Sequence, residues 1–265
     1  MILNDRINQY LHDNDIIHKN QAGFRKKHRT DHILTLHTMV KKYHSMNKPL
    51  YCSFIDLKKC FDTVWRSGLL YKLQANCING RLYNIIKSMY NNIKFYVELD
   101  DKMTPAFQTD NGVKQGCPLS PTLFSLFIND LVELLDSTAI DQPVLDGLTI
   151  SSLLFADDIV ITSTSKEGLQ SSINHLHDYT NKLGLKVNTD KSKVIFFTKY
   201  GHRSDNIALK YGDTILEKNN QFTYLGITFN TNGSLHKTMQ RLTDKARKTK
   251  YSIGNIYSEK ITILS

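Results

Sequence analysis

Ser152-Leu153-Leu154-Phe155-Ala156-Asp157-Asp158-Ile159-Val160-Ile161 is an apolar run broken once, by two adjacent carboxylates, before it resumes. Leu153 to Phe155 and Ile159 to Ile161 read as two buried strands, and Ala156-Asp157-Asp158 as the tight turn between them. Asp is a common turn residue because its side chain bonds nearby backbone amides, so a purely structural turn also accounts for the pair. Two crowded carboxylates nevertheless raise the local free energy unless a cation or a basic partner neutralises them, and hard divalent cations choose all-oxygen ligands. The hairpin tip is therefore a candidate metal site.

Working outward, Leu50-Tyr51-Cys52-Ser53-Phe54-Ile55-Asp56 is a second apolar strand that ends in an acid. Side chains at the carboxyl ends of neighbouring strands converge on one crevice. Three aspartates there can hold two Mg²⁺ ions about 4 Å apart, the arrangement that clamps the attacking and leaving oxygens of a phosphoryl displacement.

Phe54-Ile55-Asp56-Leu57-Lys58-Lys59-Cys60-Phe61-Asp62, Gly112-Val113-Lys114-Gln115-Gly116-Cys117-Pro118-Leu119-Ser120-Pro121 and Phe155-Ala156-Asp157-Asp158 occur in the order and approximate spacing of reverse transcriptases. The chain resembles those of LINE-type retrotransposons, which lack long terminal repeats. Gln21-Ala22-Gly23-Phe24-Arg25, Gly184-Leu185-Lys186-Val187-Asn188-Thr189-Asp190-Lys191 and Tyr224-Leu225-Gly226 extend the resemblance over nearly the whole chain.

The resemblance implies an α/β (α+β) fold, a polymerase palm whose antiparallel sheet is backed by helices. It divides the chain into partial fingers (1–49), a palm (50–232, with a finger-palm insertion near 76–112) and the start of a thumb (233–265). The implied reaction is RNA-directed DNA synthesis with RNA template, DNA primer and deoxynucleotides as partners and two Mg²⁺, or Mn²⁺ in their place, as cofactors. Asp56 and Asp157 would be the principal metal ligands, with the Leu57 carbonyl contributing and Asp158 supporting the site. Lys191 would stand near the departing pyrophosphate; a surface lysine is the competing view. Phe61 would lie beneath the nucleotide sugar, where its ring collides with a 2′-hydroxyl and selects deoxynucleotides. Gln115, Gly116 and Arg25 would line the nucleotide pocket. The Tyr224-Leu225-Gly226 turn would hold the primer end, and Lys245 and Lys248 would follow the nucleic-acid backbone. The loop after Arg25 departs from the family pattern between Arg29 and Asp31, where it is one residue short. Cys117 stands where the family has Asp, Ser or Cys, so no thiol chemistry is implied.

Composition sets independent bounds. The chain has 265 residues, 40% of them hydrophobic, enough to bury a substantial core as one domain or two lobes. A net charge of +9 favours a polyanionic partner. Cys52, Cys60, Cys77 and Cys117 form no C-x-x-C pair, which speaks against a zinc module and for reduced thiols in an intracellular protein. No apolar run reaches membrane-spanning length, and Met1 to Asp5 carry no signal-peptide pattern.

The periodicity elsewhere predicts helices ending near Asn14, capped by Thr30, running unbroken from Phe61 to Leu73, over Tyr83–Tyr90, from Thr122 to Leu135, over Lys166–Leu183 and over Leu235–Tyr251. Lys94–Leu99 and Ala106–Thr109 read as a hairpin turning at a solvated Asp100-Asp101, and Val194–Phe197, Ile207–Tyr211 and Phe222–Phe229 as strands. Asp62 is expected to satisfy amides in its helix's first turn, and His175 and His177 to be surface residues.

Two other functions fit part of the same sequence. One is a truncated, catalytically inactive retrotransposon remnant that binds nucleic acid, since family members usually add an upstream fingers segment, a full thumb and often an endonuclease. The other is a two-metal transferase acting on small nucleotides, which fits the aspartates but not the Gln115 loop.

Overall fold

In the computed structural model the Leu50–Asp56 strand is the middle of a five-stranded sheet. The structure describes residues 2–24, 28–91, 93–199 and 208–262. The strand order is Glu217–Lys218, Lys193–Phe197, Leu50–Asp56, Asp158–Ser163, Ser152–Phe155, antiparallel throughout except where Glu217–Lys218 runs parallel to its neighbour.

Alternate residues of these strands enter two separate cores, as the two-residue strand period requires. Tyr51, Ile55, Ile159, Ile161, Val194 and Phe196 face one side, where they meet Leu169, Ile173 and Leu176 of the Lys166–Leu183 helix and Leu123, Phe124 and Phe127 of the Ser120–Phe127 helix. Leu50, Cys52, Phe54, Val160, Ile195 and Phe197 face the other, covered by Leu36, Met39 and Val40 of the His28–Ser45 helix and by Tyr224 and Phe229. Covering both faces is why the strands read as continuous apolar runs rather than alternating ones. Each such buried aliphatic or aromatic side chain contributes roughly 1.5–3 kcal/mol.

Several elements match their expected bounds because their end signals are local. The Ile2–Asp13 helix buries Ile7 and Leu11. Ser165 Oγ accepts from Gly168 N at 2.9 Å and starts the Lys166–Leu183 helix; Gly184, at φ 68°, ends it. Gly80–Tyr90 is helical. The hairpin turns at Asp100-Asp101 as expected, both exposed and at positive φ, but its ladder is Glu98–Leu99 against Lys102–Met103, extended by a bridge between Phe95 and Phe107, in place of the expected strands Lys94–Leu99 and Ala106–Thr109.

Others differ from the periodicity. The helix after Asp56 breaks into Cys60–Thr63 and Arg66–Ala75, because Val64 and Trp65 turn extended; there Val64 O accepts from Gly112 N at 2.8 Å. The expected Thr122–Leu135 helix is two, Ser120–Phe127 and Asp130–Thr138. At the break, Asn129 is diverted to the 16–18 segment, donating to Ile16 O at 2.8 Å and accepting from His18 N at 2.9 Å. Lys72 Nζ reaches the Phe127 carbonyl freed there, together with Asp130 Oδ1 at 2.6 Å. Thr30 does not cap its helix, which already begins at His28. Phe222–Phe229 is a hairpin, Gln221–Tyr224 against Ile227–Asn230, since Leu225 and Gly226 both take positive φ and reverse the chain. Lys210–Tyr211 is a strand, whereas Ile207 lies outside the described residues.

His236–Thr262 forms the last helix, and among the described residues no helix is long and apolar enough to cross a membrane. All four cysteines are free.

Candidate active site

The Ser152–Phe155 and Asp158–Ser163 strands pair so that Phe155 stands opposite Asp158, leaving Ala156 and Asp157 as a two-residue turn. Ala156 sits at φ 55°, in the left-handed region that disfavours a Cβ. On its other edge Asp158 is opposite Asp56 in the ladder. Residues directly opposite across antiparallel strands project to the same face, so two carboxylates from sequence positions about a hundred residues apart become neighbours. Leu57 N donates to Asp157 O at 3.3 Å, which carries the pairing one step past the strand and brings the third acid in.

A second loop closes on Asp56 from the opposite edge. Asn188 N donates to Asp56 O at 2.7 Å, Lys58 N to Lys186 O at 2.7 Å, and Asp56 N to the buried Ser192 Oγ at 3.1 Å. Ser192 Oγ in turn donates to Asn188 O at 2.8 Å. The stretch that holds Lys191 is thereby fixed beside Asp56.

The charges interact. Burial, then Asp157, then Asp56 push the Asp158 carboxyl up to about 6. Asp157 is also raised, by burial first and then by Asp56, against its own backbone N–H and the exposed Lys191, which lower it. Cys60, underneath, has its thiol pushed up to about 12 by burial and next by Asp157, with Asp56 and Asp62 adding. The three acids therefore share one field, and Lys191 bears on Asp157 within it.

Among the described residues no three His, Cys, Asp or Glu side chains are arranged as a ready-made metal cage. Mg²⁺ does not need one: it is usually held by one or two carboxylates together with waters and substrate phosphates. The all-oxygen donors and their mutual repulsion fit such an ion.

Around the acids, Phe61 is half-buried with its ring 5.3 Å from Phe124 and 6.2 Å from Phe24. Gln115 and Gly116 are exposed, with Gly116 at φ 80°. Asp62 does not serve its own helix turn as expected, since its carboxylate accepts from Gln115 Nε2 at 2.6 Å. Gln21–Phe24 line the tip from the outer edge: Leu154 N donates to Asn20 O at 2.8 Å and Ala22 N to Leu154 O at 2.9 Å. A Cβ on Gly23 would stand 2.4 Å from Ala156 N. Arg25 lies outside the described residues.

Tyr224 is 1% exposed, its hydroxyl 3.3 Å from His32 Nδ1, and its ionisation is disfavoured by burial and by Asp158. The Leu225-Gly226 turn beyond it is gripped by Arg241, which donates to Gly226 O. Arg241 belongs to the same helix as the exposed Lys245 and Lys248, so those lysines connect to the turn rather than to the acids. Sequence reasoning missed Ser192 and His32 as supporting groups and gave Asp62 a role in its own helix turn alone. Ser192 and His32 lie in no motif that points beyond their own elements.

Comparison with known proteins places the chain in a family. The sequence model described as "Reverse transcriptase (RNA-dependent DNA polymerase)" matches residues 1–229. The RNA-directed DNA polymerase from mobile element jockey of Drosophila funebris is 28% identical over 223 residues, covering 80% of this chain and 23% of that protein. A Pol polyprotein from a type-1 R2 retrotransposable element of Nasonia vitripennis is 27% identical, covering 81% of this chain and 22% of its own length. The chain thus spans about a quarter of these curated relatives. In fold it is similar to apo telomerase from Candida tropicalis truncated from its C-terminal domain, with a TM-score of 0.59 at 16% identity, covering 88% of this chain and 43% of that one.

Proposed function

This chain belongs to the reverse transcriptase (RNA-dependent DNA polymerase) family, and on that footing we propose that it is the polymerising part of a LINE-type reverse transcriptase, extending a DNA primer along an RNA template. The observation that carries the reading is the register that sets Asp56 opposite Asp158, next to Asp157.

Asp56 and Asp157, with the Leu57 carbonyl, are the groups that would hold divalent cations, two Mg²⁺ or Mn²⁺ in their place, while Asp158 keeps the local charge negative. When bound, such ions supply Lewis-acid neutralisation of the phosphates and favour ionisation of the primer hydroxyl. Lys191, within charge reach of Asp157, stabilises negative charge on the departing pyrophosphate. Phe61, buttressed by Phe124, limits the space beneath the sugar and excludes a 2′-hydroxyl. Gln115 and Gly116, with Arg25, line the nucleotide pocket. Tyr224, Leu225 and Gly226 orient the primer end, and Lys245 and Lys248 follow the phosphate backbone. In domain terms, residues 1–49 act as fingers, 50–232 as palm and 233–265 as the start of a thumb.

The test is primer extension by the purified chain on an RNA template with Mg²⁺ and deoxynucleotides. Asp157→Asn is expected to lower extension at least roughly a hundred-fold, the scale of removing a group that stabilises transition-state charge. Nucleic-acid binding without extension by either protein would instead favour a binding-only remnant.

A further inference from the structure

The Asp62–Gln115 hydrogen bond joins the segment after Asp56 to the loop proposed above to line the nucleotide pocket. It sits on a frame that leaves the loop backbone little freedom. Val113 N donates to Phe61 O at 2.7 Å and Gly112 N to Val64 O at 2.8 Å. The buried Arg66 forks onto two carbonyls, Nε to Gly112 O at 2.7 Å and Nη1 to Thr109 O at 2.5 Å. Ser120 Oγ donates to Lys114 O at 2.6 Å. A Cβ on Gly112 would meet Asp62 O at 3.0 Å, so the loop passes directly over Asp62 and requires the glycine.

With residues 112 to 114 held, the freedom left at Gln115 is its side chain, whose amide has one donor end and one acceptor end. A carboxylate only accepts. The partner at Asp62 therefore decides which end of the exposed Gln115 is engaged by the chain and which is left free for a ligand. We propose that Asp62 is a positioning residue for Gln115, holding its Nε2 so that Oε1 is presented as a hydrogen-bond acceptor to the incoming nucleotide. The proposal rests on the reading of Gln115 as a nucleotide-pocket residue. It adds that the pocket offers an acceptor at this point and selects a nucleotide donor, and that Phe61 and the Gln115 amide are set by the same Cys60–Thr63 turn.

Nucleotide incorporation by the full chain on an annealed RNA–DNA primer–template tests it through a set of substitutions. Asp62→Ala frees the amide and is expected to raise the nucleotide KM about ten-fold while lowering kcat less, the signature of lost substrate binding. Gln115→Glu sets two carboxylates against each other and loses more. Asp62→Asn combined with Gln115→Glu rebuilds a donor–acceptor pair with an acceptor facing outward, and is expected to recover KM to within about three-fold of wild type. A nucleotide KM for Asp62→Ala within about two-fold of wild type, or no rescue in the double variant, overturns the proposal. The side-chain amide protons of Gln115, followed by NMR in the free chain, give a readout that needs no turnover: they are shifted and slowed in exchange, and Asp62→Ala removes both effects. If the amide is latched but wild type extends nothing, the polymerase reading has failed and the contact is only structural. If wild type extends and the rescue is absent, the positioning role alone has failed.

Discussion

Asp158 carries the electrostatic cost of the site. Its carboxyl takes up a proton at about 6 in the fold against 3.8 as the ordinary value, so between those limits the folded chain binds more protons than the unfolded one. Its contribution therefore favours folding fully below about pH 4 and is lost as the pH rises through about 6. Asp158→Asn removes that loss. In urea unfolding it should match wild type near pH 4 and exceed it at pH 7.5 by roughly 1–2 kcal/mol, after allowing for the solvent that reaches this half-buried group. Equal midpoints at pH 7.5 would mean that neither burial nor the neighbouring acids disfavour the Asp158 charge. The acidic pair stood out in the sequence because it interrupts an apolar run, although a turn accounts for it equally well. Asp62 did not: its neighbours suggest a helix-turn acid, and its partner lies more than fifty residues away.

At the scale of elements, the tip of the acidic hairpin is held by packing against a chain segment that is remote in sequence. Gly23 passes so close to Ala156 that a methyl group would strike backbone, which cannot rotate aside. Gly23→Ala should destabilise the fold by about 1–3 kcal/mol through overpacking, lowering the thermal midpoint by several degrees, and should depress extension by tilting the hairpin tip. An unchanged midpoint would show that the Gln21–Phe24 segment does not brace the site. The Lys166–Leu183 helix was legible from sequence because its stop at Gly184 is local. The two broken helices were not. Val64 turns extended to meet Gly112, and the Asn129 side chain, beside the break at Ile128, binds the 16–18 segment, long-range bonds that no local periodicity encodes.

Across the molecule, one central strand feeds two cores and ends in the acid that meets the hairpin. The expectation of a sheet backed by helices holds, with the Lys166–Leu183 and Ser120–Phe127 helices on one face. On the other, the His28–Ser45 helix and the 221–230 hairpin complete a second layer that puts Tyr224 behind Asp158 and the 225–226 turn at the rim. The ends of two apolar strands, together with the resemblance, implied that Asp56 and the Asp157-Asp158 pair meet; they could not supply the register, which depends on pairing between strands about a hundred residues apart. Their action as one cation-binding centre can be read directly by adding Mn²⁺ in small steps and following backbone amide resonances, because the paramagnetic ion broadens signals close to it. The account predicts that Asp56, Leu57, Asp157 and Asp158 broaden together and first, and that Asp157→Asn weakens the effect at all four. Broadening elsewhere in the chain while these amides stay sharp would contradict it.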